Sequence, residues 1–212
     1  AVRKKGHRMT EHLTVQLETP RLLLKDLTVD DAKALFAYRS LPEVIEFQGW
    51  TPTQISDAVH FIEQDICHIL NQPDTWVQLG IFQKSNDNNG DKTLIGDVGI
   101  HFLPDETKET QKPTSTDNVE IGITIAPAFQ GKGYATETVQ YVLDFLFDEL
   151  HKRKVIASVD PNNLKSMTLM KHVGFRLDGI FPKSVFFRGE WTDDAAFSIT
   201  LEQWRKHSNS NC

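Results

Sequence analysis

Gln130-Gly131-Lys132-Gly133-Tyr134-Ala135 joins an apolar strand, Val119 to Ile125, to an apolar-faced helix that opens near Ala135. Two glycines at such a joint let the backbone approach a bulky anion, because neither carries a Cβ. The first turn of the helix adds amides with no intrahelical acceptor, backed by the positive end of the helix dipole. Together they suit a diphosphate. A nucleotide P-loop does not fit. It requires Ser or Thr after the Gly-Lys pair to hold magnesium, and Lys132 is followed by Gly133. A dinucleotide fingerprint accommodates Gly131 and Gly133 but meets Thr136 at its third position. It also follows its strand at once, whereas Ala126-Pro127-Ala128-Phe129-Gln130 intervenes here. What remains is Gln-x-x-Gly-x-Ala, read as Gln130, Gly133 and Ala135; alone, the pattern equally describes a glycine-rich turn capping an ordinary helix.

Outward from this turn the chain orders itself as hairpins early and strand–helix–strand units late. Arg21 to Leu27 reads as a first strand, and Thr28 with Asp31 as a capping box that starts a helix running to about Ser40. Pro42 to Pro52 is expected to be a loop, and Thr53 to Leu70 a helix with Ile55, Ile62, Ile66, Ile69 and Leu70 along one side. Trp76 to Phe82 and Leu94 to Phe102 form paired strands around a turn at Lys84 to Lys92. A polar excursion, Pro104 to Asp117, precedes the strand Val119 to Ile125, and the helix after the glycine turn runs to about Leu150. A short strand at Val155 to Val159, a helix from Asn163 to Val173, and strands at Arg176 to Phe181 and Ala195 to Leu201 complete one mixed α/β domain. The expected boundaries are an N-terminal extension over 1–16, the domain over 17–204 and a tail over 205–212. Ala1 to Arg8 is basic, lacks an apolar pattern, and is expected to precede a natural start at Met9.

The bulk numbers exclude several classes. The chain has 212 residues, 39% of them hydrophobic, enough for one sizeable core. A formal net charge of −6 argues against non-specific nucleic-acid binding, which needs a basic face. The two cysteines, Cys67 and Cys212, offer neither metal spacing nor a disulfide framework. Cys67 falls on an expected helix and reads as a buried thiol. No apolar run approaches the ~18 residues of a membrane span and no secretory signal is visible, so a cytoplasmic protein is the expectation.

With the glycine turn placed, the chain resembles a GNAT-type N-acetyltransferase. In that family Gln/Arg-x-x-Gly-x-Gly/Ala holds the pyrophosphate of coenzyme A at a helix start, as Gln130 to Ala135 is arranged to do. Asp160-Pro161-Asn162-Asn163, Ser166 and His172-Val173-Gly174-Phe175 are similar to the family's downstream pattern. Thr19-Pro20-Arg21-Leu22-Leu23-Leu24, with Gly49-Trp50 later, resembles the branch of ribosomal-protein alanine N-acetyltransferases of the RimJ/RimL type; Trp191 to Trp204 looks like that branch's C-terminal strand and Glu-x-Trp ending. The resemblance spans Leu17 to Trp204. It implies a mostly antiparallel, splayed sheet flanked by helices. It also implies acetyl-CoA as co-substrate, no metal, and a primary amine as acceptor.

Roles follow residue by residue from the same resemblance. Gln130, Gly131, Lys132, Gly133, Tyr134, Ala135 and Thr136 are expected to bind the diphosphate, chiefly through backbone amides. The backbone of Ile123, Thr124 and Ile125 is expected to pair with the pantetheine arm. Strand alternation sets Glu120, Gly122 and Thr124 on one face and Val119, Ile121, Ile123 and Ile125 on the other. Glu120 is therefore the candidate general base, and also a substrate contact, with a structural ion pair as the alternative. An α-amine has a pKa of about 7.7–8.0, so a carboxylate acting through water suffices to deprotonate it. Asp97 and His101 on the neighbouring strand are substitutes for that role, substrate contacts, or solvent-facing polar residues. Asn163 is a cofactor contact, a helix N-cap, or both. Many family members place a tyrosine four residues before the glycine of the Gly-Phe pair as acid for the leaving thiolate. Here that position is Met170, which leaves Ser166, water, or unassisted departure. Phe47 and Trp50 are candidate acceptor contacts on a loop where packing is the commoner role, and Glu43 and Glu46 can attract a cation or sit in solvent. The rivals are a nucleotide-dependent oxidoreductase and a coenzyme-A-binding sensor without turnover. A monomer and a homodimer are both compatible with the sequence, and no nucleic-acid or membrane partner is expected.

Overall fold

A computed structural model describes residues 15–85, 92–104 and 117–210. The expected extension before residue 15, most of the turn at Lys84 to Lys92, the polar excursion within Pro104 to Asp117, and Cys212 lie outside the described residues. Among those that are described, no helix is long and apolar enough to cross a membrane.

The strands are β1 (Gln16–Glu18), β2 (Leu22–Asp26), β3 (Thr75–Lys84), β4 (Lys92–Phe102), β5 (Asn118–Ile125), β6 (Lys154–Val159), β7 (Arg176–Phe187) and β8 (Glu190–Thr200). They form one sheet in the order β1-β2-β3-β4-β5-β6-β8-β7. Every neighbouring pair is antiparallel except β5 and β6. The helices are α1 (Ala32–Arg39), α2 (Pro42–Ile45), α3 (Ile55–His60), α4 (Tyr134–Asp144), α5 (Leu164–His172) and α6 (Leu201–Ser210). Both faces of the sheet are covered. Leu22 and Leu24 turn to the core shared with α4, while Leu23 turns to a second cluster with Leu35 and Ala58 of α1 and α3. An unbroken Leu-Leu-Leu run is what burial on both faces demands.

Helix starts follow their chemistry. The Thr28–Asp31 box forms, with Asp31 Oδ2 accepting from Thr28 N–H at 2.8 Å. It opens a tight turn, Val29–Asp31, that continues into α1. Within the expected loop, Pro42 begins the short α2, a position where its missing N–H costs nothing. The helix expected over Thr53 to Leu70 is shorter. It comprises α3 and one wide turn, Phe61–Asp65, because Ile66 takes an extended ψ of 125° and Cys67 N–H then donates to Trp76 O at 2.9 Å. β3 thus captures backbone that a longer helix would have used; Ile69 is left 49% exposed and Cys67 half-buried off the helix. The closing strands are longer than expected and meet at Arg188-Gly189, whose φ angles of +52° and +88° make a two-residue hairpin turn. From Leu201 onward the chain is α6, where a strand ending was expected. Trp204 is buried there, and its indole N–H donates to Asp144 Oδ1 at 2.9 Å.

β5 and β6 pair only at Asn118↔Lys154, Val119↔Val155 and Glu120↔Ile156. Beyond Glu120 each follows its other neighbour, β5 with β4 to Ile125 and β6 with β8 to Val159. The sheet therefore splays from Glu120 onward, and the glycine turn and α5 flank the mouth of the gap.

Candidate active site

At the mouth, Gly131 and Gly133 hold φ values of +74° and +80°. The left-handed region is cheap for glycine and strained for residues with a Cβ. A Cβ on Gly131 would meet nothing within 4 Å among the described residues, which leave the space above the turn open. The first helical bond runs from Glu137 N–H to Gly133 O at 3.0 Å. The amides of the preceding turn therefore have no carbonyl of their own helix, and the site fits a diphosphate. Lys132 Nζ lies 5.3 Å from the Phe129 ring centroid.

An acid, Glu137, stands in this first turn, where an anion is meant to bind. Its charge is met by the β1–β2 junction. Arg21 Nε donates to Glu137 Oε2 at 2.6 Å, Arg21 N–H to Oε1 at 2.9 Å, and the Thr19 hydroxyl to Oε1 at 2.5 Å. Burial raises the Glu137 pKa, but these donors outweigh it and hold the carboxyl below the usual range. Arg21 also donates from Nη1 to Lys132 O at 2.9 Å and stacks 4.6 Å over the Tyr134 ring, whose hydroxyl accepts from Gln83 at 2.8 Å. Sequence reading saw Thr19-Pro20-Arg21 only as a motif. The signal that points to this clamp is the unpartnered acid in an anion-binding turn.

Gln130 bridges the gap. Its amide nitrogen donates to Ile125 O at 2.9 Å, and its oxygen accepts from Lys165 Nζ of α5 at 2.8 Å. Ile125 is buried, Ile123 half-buried, and the buried Thr124 Oγ1 has no hydrogen-bond partner among the described residues. Ala135 and Thr136 are half-buried in the first turn of α4. Asn163 caps α5, its Oδ1 accepting from Ser166 N–H at 3.1 Å, which places both residues at the helix start. Met170 is fully packed at 2% exposure.

At the apex of the splay, Glu120 pairs across β4–β5 with His101, and His101 pairs across β3–β4 with Trp76. His101 Nδ1 is 3.5 Å from Glu120 Oε2, and its Nε2 is 3.3 Å from Asp74 Oδ1. Beside Glu120, a Cβ on Gly122 would meet nothing within 4 Å among the described residues. Asp97, weighed as a substitute base, a substrate contact or a solvent-facing residue, is none of these. It is fully buried and accepts from Tyr38, Arg39 and Gln78. Burial first, and the Asp97 charge second, push the Tyr38 hydroxyl well above its ordinary pKa. Trp50 stacks on Phe61 at 4.4 Å, a packing contact, while Phe47 is half-buried and Glu43 and Glu46 are exposed. The β7–β8 turn reaches this segment, Arg188 Nη1 donating to Ile45 O at 3.3 Å. A separate groove at the far ends of β5 and β6, lined by Asp117, Arg153, Lys154, Glu202 and Arg205 among others, shares no residue with this constellation.

Comparison with known proteins accords with this geometry. The family model of the acetyltransferase (GNAT) domain matches residues 21–176. The uncharacterized N-acetyltransferase YnaD of Bacillus subtilis (strain 168) is 27% identical over 190 residues, covering 90% of this chain and 99% of its own. Among solved structures, a GNAT-family acetyltransferase from Bacillus anthracis superposes with a TM-score of 0.73 at 23% identity, covering 89% of this chain and 99% of that one. The ribosomal L7/L12 α-N-protein acetyltransferase RimL superposes with a TM-score of 0.71 at 14% identity, covering 95% and 100%. At these identities the two structures share the fold.

Proposed function

This chain belongs to the acetyltransferase (GNAT) family and is an N-acetyltransferase that uses acetyl-CoA; from that premise we propose that it moves the acetyl group directly to a protein N-terminal α-amine in a ternary complex. The observation that carries direct transfer is the end of β5–β6 pairing at Glu120, with an anion-binding turn at the mouth of the gap so formed. Acetyl-CoA supplies an acetyl group already activated as a thioester. The amides from Gly131 to Thr136 hold its diphosphate, and the free edge of Ile123 to Ile125 lines the pantetheine arm. Asn163 and Ser166 face it from α5. Lys132 adds charge at the turn.

Glu120 accepts a proton from the incoming ammonium, directly or through one water, and the freed amine attacks across the gap. Holding both reactants in one orientation provides much of the acceleration, and a backbone amide of β5 polarises the thioester carbonyl. The leaving sulfur is served by Ser166 or water, since a thiol of pKa about 8.5 departs readily and Met170 stands where an acid would otherwise be. Phe47 borders the acceptor side. The acceptor class rests on the Thr19-Pro20-Arg21-Leu22 and Gly49-Trp50 motifs, which resemble the ribosomal-protein branch.

Acetyl-CoA-dependent thiol release against an amine panel tests the reading. The panel contains peptides beginning Ala or Ser, a linear polyamine and an aminoglycoside. Preference for the peptides by at least tenfold in kcat/KM is the expected outcome, about 1.4 kcal/mol of transition-state discrimination. Preference for the polyamine or the aminoglycoside overturns the acceptor class and leaves the transfer chemistry standing. Glu120→Gln is expected to depress kcat about a hundredfold; unchanged turnover across pH removes Glu120 from the base role.

A further inference from the structure

We propose that His101 and Asp74 form a proton exit from Glu120 to solvent, an inference that rests on Glu120 being the base. The three side chains come from three separate elements: Glu120 from β5, His101 from β4, and Asp74 from the turn before β3. Both imidazole nitrogens are engaged, Nδ1 towards Glu120 at 3.5 Å and Nε2 towards Asp74 at 3.3 Å. Trp76 stacks on the ring at 4.7 Å and 13°, which fixes its plane and keeps each nitrogen on its own carboxylate. Asp74 is held in turn by its backbone, whose N–H donates to Phe102 O at 2.7 Å.

Exposure gives the row its direction. The Glu120 side chain is 24% exposed and that of His101 17%, whereas Asp74 is 80% exposed. With cofactor in the splay and amine above Gly122, the remaining solvent access of Glu120 is covered by the reactants themselves. A base that cannot unload stalls the next cycle. The row runs sideways along that same sheet face, from β5 over β4 to the turn before β3, and so ends at a carboxylate beyond the strand that the reactants cover. Other uses of the trio fit less well. Among the described residues, no three such side chains converge on a point that could hold a metal ion. An ion pair alone needs one carboxylate, not two on opposite edges of one ring.

The protons balance. Two leave the ammonium nitrogen in forming the amide. The first goes to the Glu120 carboxylate before attack; the second leaves once the C–N bond has formed and ends on the sulfur that departs with the C–S electron pair. Glu120 then passes its proton to His101 Nδ1. The imidazolium, flanked by two carboxylates, releases a proton from Nε2 to Asp74 and on to water, and the ring regains its tautomer by exchange with water. Among the described residues, the titratable groups set against the imidazole are Glu120 from β5 and Asp74 from the turn; β3 contributes Trp76, which does not titrate. Histidine suits the middle position because one ring nitrogen can accept a proton while the other donates one.

The test uses the full chain with its best amine, from pH 6 to 9. His101→Ala is expected to lower kcat about tenfold, within the range of one proton-transfer step, at unchanged KM for acetyl-CoA. Added imidazole is expected to restore most of that loss, which no structural role of the ring predicts. His101→Gln covers the case in which the alanine variant does not fold: the same loss is expected, without rescue. Asp74→Asn keeps a residue tolerant of the φ of +59° found there and is expected to slow kcat by about threefold with a shifted pH profile. Full kcat in His101→Ala, or a loss that imidazole leaves untouched in a folded variant that still binds acetyl-CoA, overturns the relay. If Glu120→Gln is inactive while His101→Ala is normal, the relay alone fails; if Glu120→Gln is fully active, the base assignment fails with it.

Discussion

Arg21 is a half-exposed arginine that by sequence alone belongs to the opening of a strand, yet its guanidinium neutralises the one acid in the first turn of α4. Removing it leaves Glu137 pointing negative charge at the diphosphate. Arg21→Ala is accordingly expected to raise KM for acetyl-CoA about tenfold, the size of a partly buried charge interaction at a helix N-terminus, with kcat nearly unchanged. Glu137→Gln in the same background is expected to recover part of the loss; if it recovers none, Arg21 acts on the turn by some route other than charge. A second residue makes a statement about pH. Lys152 is 4% exposed and lies 5.2 Å from the Phe102 ring, and burial, opposed by Asp117, draws its pKa down from 10.5 to about 8. Below pH 8 the amine is charged whether the chain is folded or not, so its burial as a cation opposes folding throughout that range. Between pH 8 and 10.5 the folded chain binds fewer protons than the unfolded one, and stability rises with pH. Lys152→Met is thus expected to be the more stable protein in urea at pH 7.5, with its advantage shrinking as pH approaches 10.

Among the elements, what was legible in the sequence was what local chemistry decides. The glycine turn, the Thr28–Asp31 box, the Asn163 cap and the β3–β4 hairpin all follow from residues near one another in the chain or from a two-residue alternation. What was not legible depended on distant partners. α3 stops early because Trp76 O takes Cys67 N–H. α6 is a helix because Trp204 finds Asp144 from α4. Asp97 reads as an ordinary strand polar residue until Tyr38 and Arg39 close over it. The same limit hid the length of the β7–β8 hairpin, whose turn contacts the α2 segment. Gly189 holds φ +88° there, and a Cβ added to it would meet nothing within 4 Å among the described residues, so Gly189→Ala is strained by its backbone angle rather than by contact with them. It is expected to destabilise the protein by about 1 kcal/mol. If the hairpin covers the acceptor side, the acceptor KM rises while the acetyl-CoA KM stays put. A change in the acetyl-CoA KM alone assigns the hairpin to the other side of the splay.

Taken whole, the molecule is two sheet halves, β1 to β5 and β6 to β8, whose strands are joined by three parallel residue pairs. Gln130 adds a polar link by holding Ile125 on one side and Lys165 on the other. A ligand seated between them touches both halves, so its binding energy appears as resistance to their separation. Coenzyme A at a hundred times its Kd contributes about 2.7 kcal/mol to unfolding. Its location is the sharper expectation. Amide hydrogen exchange is expected to slow in Ile121 to Ile125 and the first turn of α4, and equally in Ala157 to Ser166 across the gap, while β1 and β2 keep their rates apart from residues beside Arg21. A fully occupied protein that gains protection on the β5 side alone has bound its ligand at the turn without entering the splay. In that outcome the anion-binding turn survives as a site, and direct transfer past Glu120 loses the geometry it requires.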